Sequence, residues 1–294
     1  MNSKRAISAE RDGLLDLKSL VEAYEEIAAN QMQKVRQSVL QSREFMQGVT
    51  EIFVKVRSSY EREILLLEKR SKKKIKEFSV LPRNNKTVVV FVSANSGLFG
   101  DIVERTLGLF LDYINTHKDE SVDAVIVGKL GLRMLSDRGI NLLYNYFDFP
   151  DDHVDFESIS LIMRYLLQYE RILVFHGEFK SLVNQNPVST GVSGHDVVSQ
   201  QQRTEEVQKT LYLIEPSLAE VLEIFEGEIL ASILAQSLHE SQLAKFASRM
   251  FNLDRAMENI ENRMTNLALM NRRAEHQISA RKQLNRISGM SLWE

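Results

Sequence analysis

A heptad pattern of apolar residues near the carboxyl end constrains this chain more than any other feature of its sequence. Its members recur at alternating steps of three and four residues, the spacing that makes a helix wind left-handedly around a partner. They are Leu243, Phe246, Met250, Leu253, Met257, Ile260, Met264 and Leu267. The next positions of the pattern hold Asn271, Ala274 and Ile278. The sequence therefore predicts a long coiled-coil helix whose polar tip is inserted into another structure. A helix packed in an ordinary bundle is the plainer alternative.

A second helical arm is predicted at the amino end, from about Asp12 to Phe78. The apolar residues that follow the same rhythm here are Leu14, Leu17, Val21, Tyr24 and Ala28, and then Met46, Val49, Phe53, Val56 and Tyr60. Gln31 and Ser38 weaken the pattern between these two stretches. Proline strongly disfavours a helix interior, and all four prolines lie between residues 82 and 216. We expect the two arms to pair antiparallel, with both chain ends at the far tip.

The middle of the chain has the pattern of an α/β domain. Continuous apolar, β-branched runs predict strands that are buried on both faces. The predicted strands are 87–92, 122–127, 171–175, 179–183 and 207–214, the last two flanking a polar stretch from 184 to 206. Helices are predicted to end near Thr116, Arg138 and Glu170. This alternation predicts a mainly parallel, Rossmann-like sheet, with domain boundaries at 1–80, 81–214 and 215–294.

Composition excludes several functional classes. The chain has 294 residues and a net charge of -3, which argues against nucleic acid as the main partner. No apolar run is long enough to span a bilayer, and the amino end lacks the features of a secretory signal or transit peptide. The absence of cysteine excludes disulfides, thiolate metal sites and cysteine nucleophiles. We expect a chain that works in the cytoplasm.

The residues offer no candidate catalytic centre. The turn at 93–100 follows a predicted strand, but it lacks both the phosphate-binding GxxxxGK[ST] and the dinucleotide-binding GxGxxG patterns. We interpret it as a tight turn that needs small residues, and His176 as an ordinary residue at a strand end. No histidine pair has metal-ligand spacing. The sequence predicts a non-enzymatic protein without cofactor or metal.

The end of the chain, ESQLAKFASRMFNLDRAMENIENRMTNLALMNRRAEHQIS, resembles the carboxyl-terminal helix of the γ subunit of F-type ATP synthases. The shared marks are Arg249-Met250, Asn271-Arg272 and Ile278-Ser279. Further marks upstream are Ile27-Ala28-Ala29, the turn at 93–100, Phe179-Lys180-Ser181 with Gln185 and Pro187, and Tyr212-Leu213-Ile214-Glu215-Pro216. The resemblance covers nearly the whole chain in the family's order.

Three departures from the family's pattern change charge. Ala94-Asn95 stand where the family has Asp-Arg, Ala274-Glu275 where it has Arg-Gln, and Lys245 where it has glutamate. These changes remove hydrogen-bond donors or reverse a charge, and a reversed charge in the partner could compensate. They indicate a divergent branch of the family, and they leave open a hydrolysis-only motor that is not coupled to ion translocation.

The resemblance implies a central rotor shaft that couples ion flow through a membrane c-ring to ATP synthesis or hydrolysis in a hexamer of α and β subunits. The other implied partner is an ε/δ-type stalk subunit, and the implied location is peripheral, at the cytoplasmic face of a membrane. The residues implied to contact the catalytic subunits are Tyr24, Lys245, Arg249, Asn271, Arg272, Ala274, Glu275, Ile278 and Ser279. Those implied to contact the membrane ring are Tyr212, Ile214 and Glu215. A coiled-coil scaffold unrelated to ATPases, which dimerises through its arms, is the third hypothesis.

Overall fold

The structure is a computed structural model that describes residues 2–59, 84, 86–117, 121–192, 215 and 217–290. Its elements are α1 (Asn2–Ser59), β1 (Thr87–Val92), α2 (Ile102–Thr116), β2 (Val122–Val127), α3 (Lys129–Asp137), β3 (Tyr144–Phe147), α4 (Phe156–Leu166), β4 (Arg171–Phe179), β5 (Gln185–Gly191) and α5 (Leu218–Met290). The chain divides into two compact units. We call Met1–Asn30 with Arg249–Glu294 the coil unit, and Gln31–Ser248 the sheet unit.

The coil unit is an antiparallel pair of helices. Lys18 of α1 lies 2.9 Å from Glu261 of α5, and Arg263 donates to Glu10 at 2.8 Å, so the partner number rises in α5 as it falls in α1. The buried side chains between the helices are Val21, Ala28, Ile260 and Leu267. The predicted positions from Leu253 to Leu267 are all buried or half-buried, which confirms the heptad seam of α5 in this unit.

The prediction for α1 was wrong at two positions. Leu17 and Tyr24 are 44% and 40% exposed, whereas the neighbouring Lys18 and Glu25 are half-buried. Lys18 can occupy a seam position because its aliphatic stem covers apolar surface while its ammonium group reaches Glu261. The helix therefore presents Leu17 and Tyr24 outwards.

The sheet unit is built on a five-stranded sheet in the order β3-β2-β1-β4-β5. The first four strands of this order are parallel, and β5 runs antiparallel to β4. Strand β1 is central, and its side chains alternate between two apolar cores: Val88, Val90 and Val92 on one face, Val89 and Phe91 on the other. Both cores include residues of α1 and α5, so the two long helices also pack within this unit. The predicted α/β fold is confirmed.

Edge strands account for the errors in the sheet prediction. The strand predicted at 179–183 is wrong, because β4 continues to Phe179 and residues 180–184 form a turn closed by bonds between Ser181 and Asn184. The strand that follows is β5, in the stretch predicted to be polar loop. Strand β3 is short and partly exposed, and it has no apolar run to mark it. Helix α4 ends at Leu166, before the predicted Glu170. The strand predicted at 207–214 lies outside the described residues.

Candidate functional site

Beyond Ala274, the described side chains of α5 are no longer covered by its helical partner. Asn271 and Ala274 are half-buried, whereas every side chain from Glu275 to Ile287 is exposed. The apolar Ile278, Leu284 and Ile287 are among them. Exposed apolar side chains on one helix, interspersed with basic residues, indicate a surface that binds another protein.

Six of the predicted contact residues lie together on this part of α5. They are Asn271, Arg272, Ala274, Glu275, Ile278 and Ser279. The Asn271 amide donates to Glu275 Oε1 at 3.4 Å, so this departure from the family pattern gains a local partner within the helix. Arg249, in the same unit, is half-buried. The six residues within 271–279 therefore lie at the start of the exposed end of α5, Arg249 lies well before it, and their contacts with catalytic subunits stay a prediction.

An exposed apolar stripe on α1, which the heptad pattern did not predict, belongs to the same unit. Leu17, Leu20, Tyr24 and Ile27 are all exposed, and their steps of three and four place them along one helix face. Tyr24 is accessible together with three apolar neighbours, and its predicted contact with the catalytic subunits stays a prediction. The sequence does contain a signal for this stripe. Helix α1 has two apolar stripes, and pairing with α5 requires only one of them.

Lys245 is buried, unlike the other predicted contact residues. It is 5% exposed, and its Nζ donates to the Ser93 carbonyl at 2.8 Å. The same nitrogen lies 3.7 Å from Asp151 Oδ1 and 5.7 Å from the centre of the Phe99 ring. In this structure the side chain therefore turns into the sheet unit and has almost no surface to offer another subunit.

The ammonium group of Lys245 belongs to a hydrogen-bonded network that we call the polar joint. It consists of Ser93, Asn95, Asp148, Asp151 and Lys245. The Asp151 carboxylate accepts from the Asn95 and Ser96 amides at 2.8 to 3.0 Å, and from the Ser96 hydroxyl at 2.8 Å. The Asn95 side chain donates to Asp148 at 2.8 Å and accepts from the Lys129 amide at 2.9 Å. These bonds tie together the loops that follow β1, β2 and β3, since parallel strands end at one edge of a sheet.

Two further observations describe how tightly the polar joint is built. The hydrogen bond from Asn95, together with the nearby Lys129, lowers the pKa of Asp148 below its usual value. Gly128 has φ of +96°, and a Cβ there would lie 2.7 Å from the Ala94 carbonyl oxygen, so only glycine fits between these loops. The joint's polar groups bond with one another, which suits a structural connection.

A second ionic contact in the sheet unit joins the two long helices. The Arg43 guanidinium of α1 donates to Glu240 of α5 through Nε at 2.9 Å and through Nη2. The Glu240 side chain is buried, whereas that of Arg43 is half exposed. This ion pair connects α1 to α5, whereas the polar joint connects α5 to the sheet.

The residues predicted to contact a membrane ring are mostly beyond the described part of the chain. Glu215 is described and exposed, whereas Tyr212 and Ile214 lie outside the described residues. Among the described helices, none combines the length and apolar character that crossing a membrane requires. The described residues also contain no group of three side chains that could hold a metal ion.

The fold combines two long antiparallel helices with a mainly parallel five-stranded α/β sheet. A family model described as ATP synthase matches residues 3–279. The ATP synthase gamma chain of Halothermothrix orenii is 24% identical over 300 residues, covering 98% of either chain. That of Amoebophilus asiaticus is 23% identical over 270 residues, covering 85% of this chain and 84% of its own.

A solved structure shares the fold. It is the central stalk and c-ring of the Tetrahymena thermophila mitochondrial ATP synthase, with a TM-score of 0.54 and 18% identity, over 81% of this chain and 99% of that one. Together with the match to the family model, these likenesses confirm the predicted resemblance. The chain belongs to the ATP synthase γ-chain family.

Proposed function

We propose that this chain is the central rotor shaft of an F-type ATP synthase or ATPase, which couples ion flow through a membrane ring to ATP synthesis or hydrolysis in a hexamer of α and β subunits. The observation that carries the proposal is the coil unit: a helix pair whose seam ends at Ala274 while α5 continues with every described side chain exposed up to Ile287. By the resemblance to F-type γ subunits, such an end would be inserted into a ring of partner subunits. In this role the chain would turn within the catalytic subunits and would contribute no catalytic group of its own.

The coil unit is suited to this work because its faces differ. One face of α1 carries the apolar stripe of Leu17, Leu20, Tyr24 and Ile27, while Lys18 and Glu10 carry ion pairs. A shaft with unlike faces inside a ring of similar subunits contacts each subunit differently. Each nucleotide site then favours a different conformation, and rotation takes each site through all of them.

The contact residues divide by their exposure. Tyr24 and Arg249 would face the catalytic subunits, and the six predicted residues within 271–279 would form the upper bearing. Lys245 is not retained in this set, because it is buried and bonded in the polar joint. Tyr212, Ile214 and Glu215 would face the c-ring, with an ε/δ-type subunit beside the sheet unit, at the cytoplasmic face of the membrane.

Rotation of this chain in an assembled complex tests the proposal. The chain has no cysteine, and Leu143 is 93% exposed in the sheet unit, so Leu143→Cys gives one site for a rotation probe. The chain would be co-purified with the α and β subunits of its own organism, which would be immobilised on a surface. We expect stepwise, ATP-driven rotation of the probe. A chain that purifies as a self-paired dimer, or that assembles and stays still during hydrolysis, would overturn the proposal.

Cross-linking tests the proposed contact surface separately. Arg249→Cys, carrying a short photoreactive maleimide, should give a product with an α or β subunit. Leu143→Cys, with the same reagent, should give none with these subunits and is the matched control. Equal products from both positions would contradict the assignment.

Ion coupling distinguishes the proposed role from the hydrolysis-only alternative. The relatives named above are ATP synthase gamma chains, and no observation on this chain favours the alternative. Co-purification of a c-ring and ATP synthesis under an imposed gradient are the expected results.

A further inference from the structure

We infer that Lys245 and the polar joint transmit torque between helix α5 and the sheet to which it is docked. The inference rests on the proposed function, and it names the contact through which a rotor would pass load from one element to another. Helix α5 contributes residues to both units, so any turning force on this helix must be resisted where it meets the sheet.

The geometry of Lys245 makes it sensitive to rotation of the helix. Its side chain is 6% exposed, and that of Asp151 is 16% exposed, so water provides little compensation if the two separate. A buried cation that loses its acceptors is strongly disfavoured. Rotating α5 about its axis would carry Nζ away from both the Ser93 carbonyl and the Asp151 carboxylate. The contact therefore opposes the one motion that torque produces.

The apolar contacts of the same helix do not resist rotation in this way. Leu243 and Phe246 are buried beside Lys245 in the core of the sheet unit. Apolar burial is non-directional, so it varies less sharply with the angle of the helix than a hydrogen bond does. A hydrogen bond weakens steeply when its angle changes. The polar joint is thus the part of this interface that fixes rotational register.

The acceptor side of the joint is built to carry load into the sheet. Asp151 is held by the amides of Asn95 and Ser96, and Asn95 in turn by Asp148 and by the Lys129 amide. These groups lie on loops that follow three adjacent parallel strands. A force on Lys245 is therefore distributed over β1, β2 and β3 rather than bending a single loop.

The test compares variants of the joint with a matched ionic contact. Lys245→Met removes the ammonium group and keeps most of the apolar stem, and Asp151→Asn removes the carboxylate charge. Arg43→Ala is the control, because it breaks an ion pair in the same unit that links α1 to α5 and does not involve the sheet. Each variant would be assembled with its partner subunits and membrane ring in sealed vesicles, and the ions pumped per ATP hydrolysed would be measured.

We expect Lys245→Met and Asp151→Asn to lower the pumping ratio severalfold, and Arg43→Ala to leave the ratio unchanged. Lys245→Arg keeps the cation and should retain most of the ratio. If Lys245→Met does not assemble, Asp151→Asn and Lys245→Arg decide the question. A ratio that is unaffected in Asp151→Asn, in a complex whose wild type pumps, would overturn the inference. Failure of the wild type to assemble or pump would instead overturn the proposed function.

A reversible staple distinguishes lost torque from damaged folding. A Cβ at Gly177 of β4 would lie 3.2 Å from Ala244 Cβ of α5 and 2.9 Å from Ile102 Cγ1. Disulfides join Cβ atoms about 3.5 to 4.5 Å apart, so a staple here needs Ile102 shortened and the helix and strand separated by a few tenths of an ångström. Gly177→Cys with Ala244→Cys and Ile102→Ala, added to Lys245→Met, should restore the pumping ratio when oxidised and lose it again on reduction. A ratio that stays low with the staple closed would contradict the mechanical role.

Discussion

The coil unit and the sheet unit hold the same two helices by different means. In the coil unit a narrow seam of buried apolar side chains is flanked by ion pairs that lie open to water, such as Arg263 with Glu10. In the sheet unit the helices are held by ionic contacts in which at least one partner is buried, Glu240 in one and Lys245 in the other. Asp151 and Lys245 bond to backbone as well as to each other. The first arrangement gives a rod whose surface stays available to partners. The second gives a joint with one favoured geometry.

A matched pair of core truncations should show the largest difference between the units. Leu234 in the sheet unit and Leu267 in the coil unit are both fully buried. Replacing a buried leucine by alanine costs about 2 to 5 kcal/mol, and more where the surroundings cannot collapse. We expect Leu234→Ala to lie near the top of this range and Leu267→Ala near the bottom, since a two-helix seam can close.

Urea unfolding of the full chain, followed by circular dichroism, measures both losses of stability. A greater loss for Leu267→Ala than for Leu234→Ala would show that the coil unit is the more rigid of the two. That result would contradict our expectation that the sheet unit is packed more rigidly than the coil unit.

Removal of the Asp151 carboxylate should have the next largest effect. Asp151→Ala leaves Lys245 buried without its counter-charge, and the Asn95 and Ser96 amides without their acceptor. Because Asp151 is slightly exposed, we expect a loss at the lower end of the usual range for a broken buried pair, about 3 kcal/mol. The free energy of unfolding of the full chain checks this. A loss as small as that of a surface ion pair would mean that water replaces the carboxylate.

Acid should weaken the sheet unit through His176. Burial lowers the pKa of His176, whose ring lies between the Gly177 carbonyl and the Thr190 hydroxyl. Below about pH 6.5 the unfolded chain therefore takes up a proton that the folded chain does not, and the free energy of unfolding falls by up to about 1.4 kcal/mol per pH unit.

The variant His176→Gln isolates this contribution. It should flatten the decline in unfolding free energy measured between neutral and mildly acidic pH. Burial lowers the pKa of His239 as well, so a smaller decline in the same direction should remain. An unchanged slope in His176→Gln would exclude His176 as its source.

The smallest effect is expected for an ion pair of the coil unit. Arg263→Ala removes a contact whose partners are about half exposed, and such pairs contribute less than about 1 kcal/mol. High salt should shrink this difference further, because it screens exposed charges. Thermal unfolding at low and high salt checks both statements. A loss of unfolding free energy comparable to that of Asp151→Ala would mean that the ion pairs of the coil unit and the contacts of the polar joint do not differ in strength.

Local patterns predicted most of this structure, and long-range pairing accounts for what they missed. The seam of α5 from Leu253 to Leu267 and the strands β1 and β2 were predictable, because heptads and apolar runs are local signals. Strands β3 and β5 were not, because edge strands carry polar or exposed residues. On α1, Leu17 was taken for a seam residue because the stem of Lys18 was not counted as apolar.

The sequence indicated the exposure of the carboxyl-terminal part of α5, but it did not indicate the burial of Lys245. The apolar heptad pattern becomes polar after Leu267, and this local change predicts that the residues from Asn271 to Ser279 are less buried. Lys245 could not be placed in this way, since its acceptor Ser93 is 152 residues away along the chain. Only the fold brings that carbonyl and Asp151 to the same point.

The distance along the chain between paired helices also bears on how the protein is made. Glu10 and Arg263 are separated by 253 residues, and Arg43 and Glu240 by 197. Helix α1 therefore leaves the ribosome long before its partner has been synthesised, with Val35, Val39 and Met46 still uncovered. Contacts so remote in sequence form slowly, and uncovered apolar helices aggregate. The nascent chain is expected to need shielding by a chaperone until translation is almost complete.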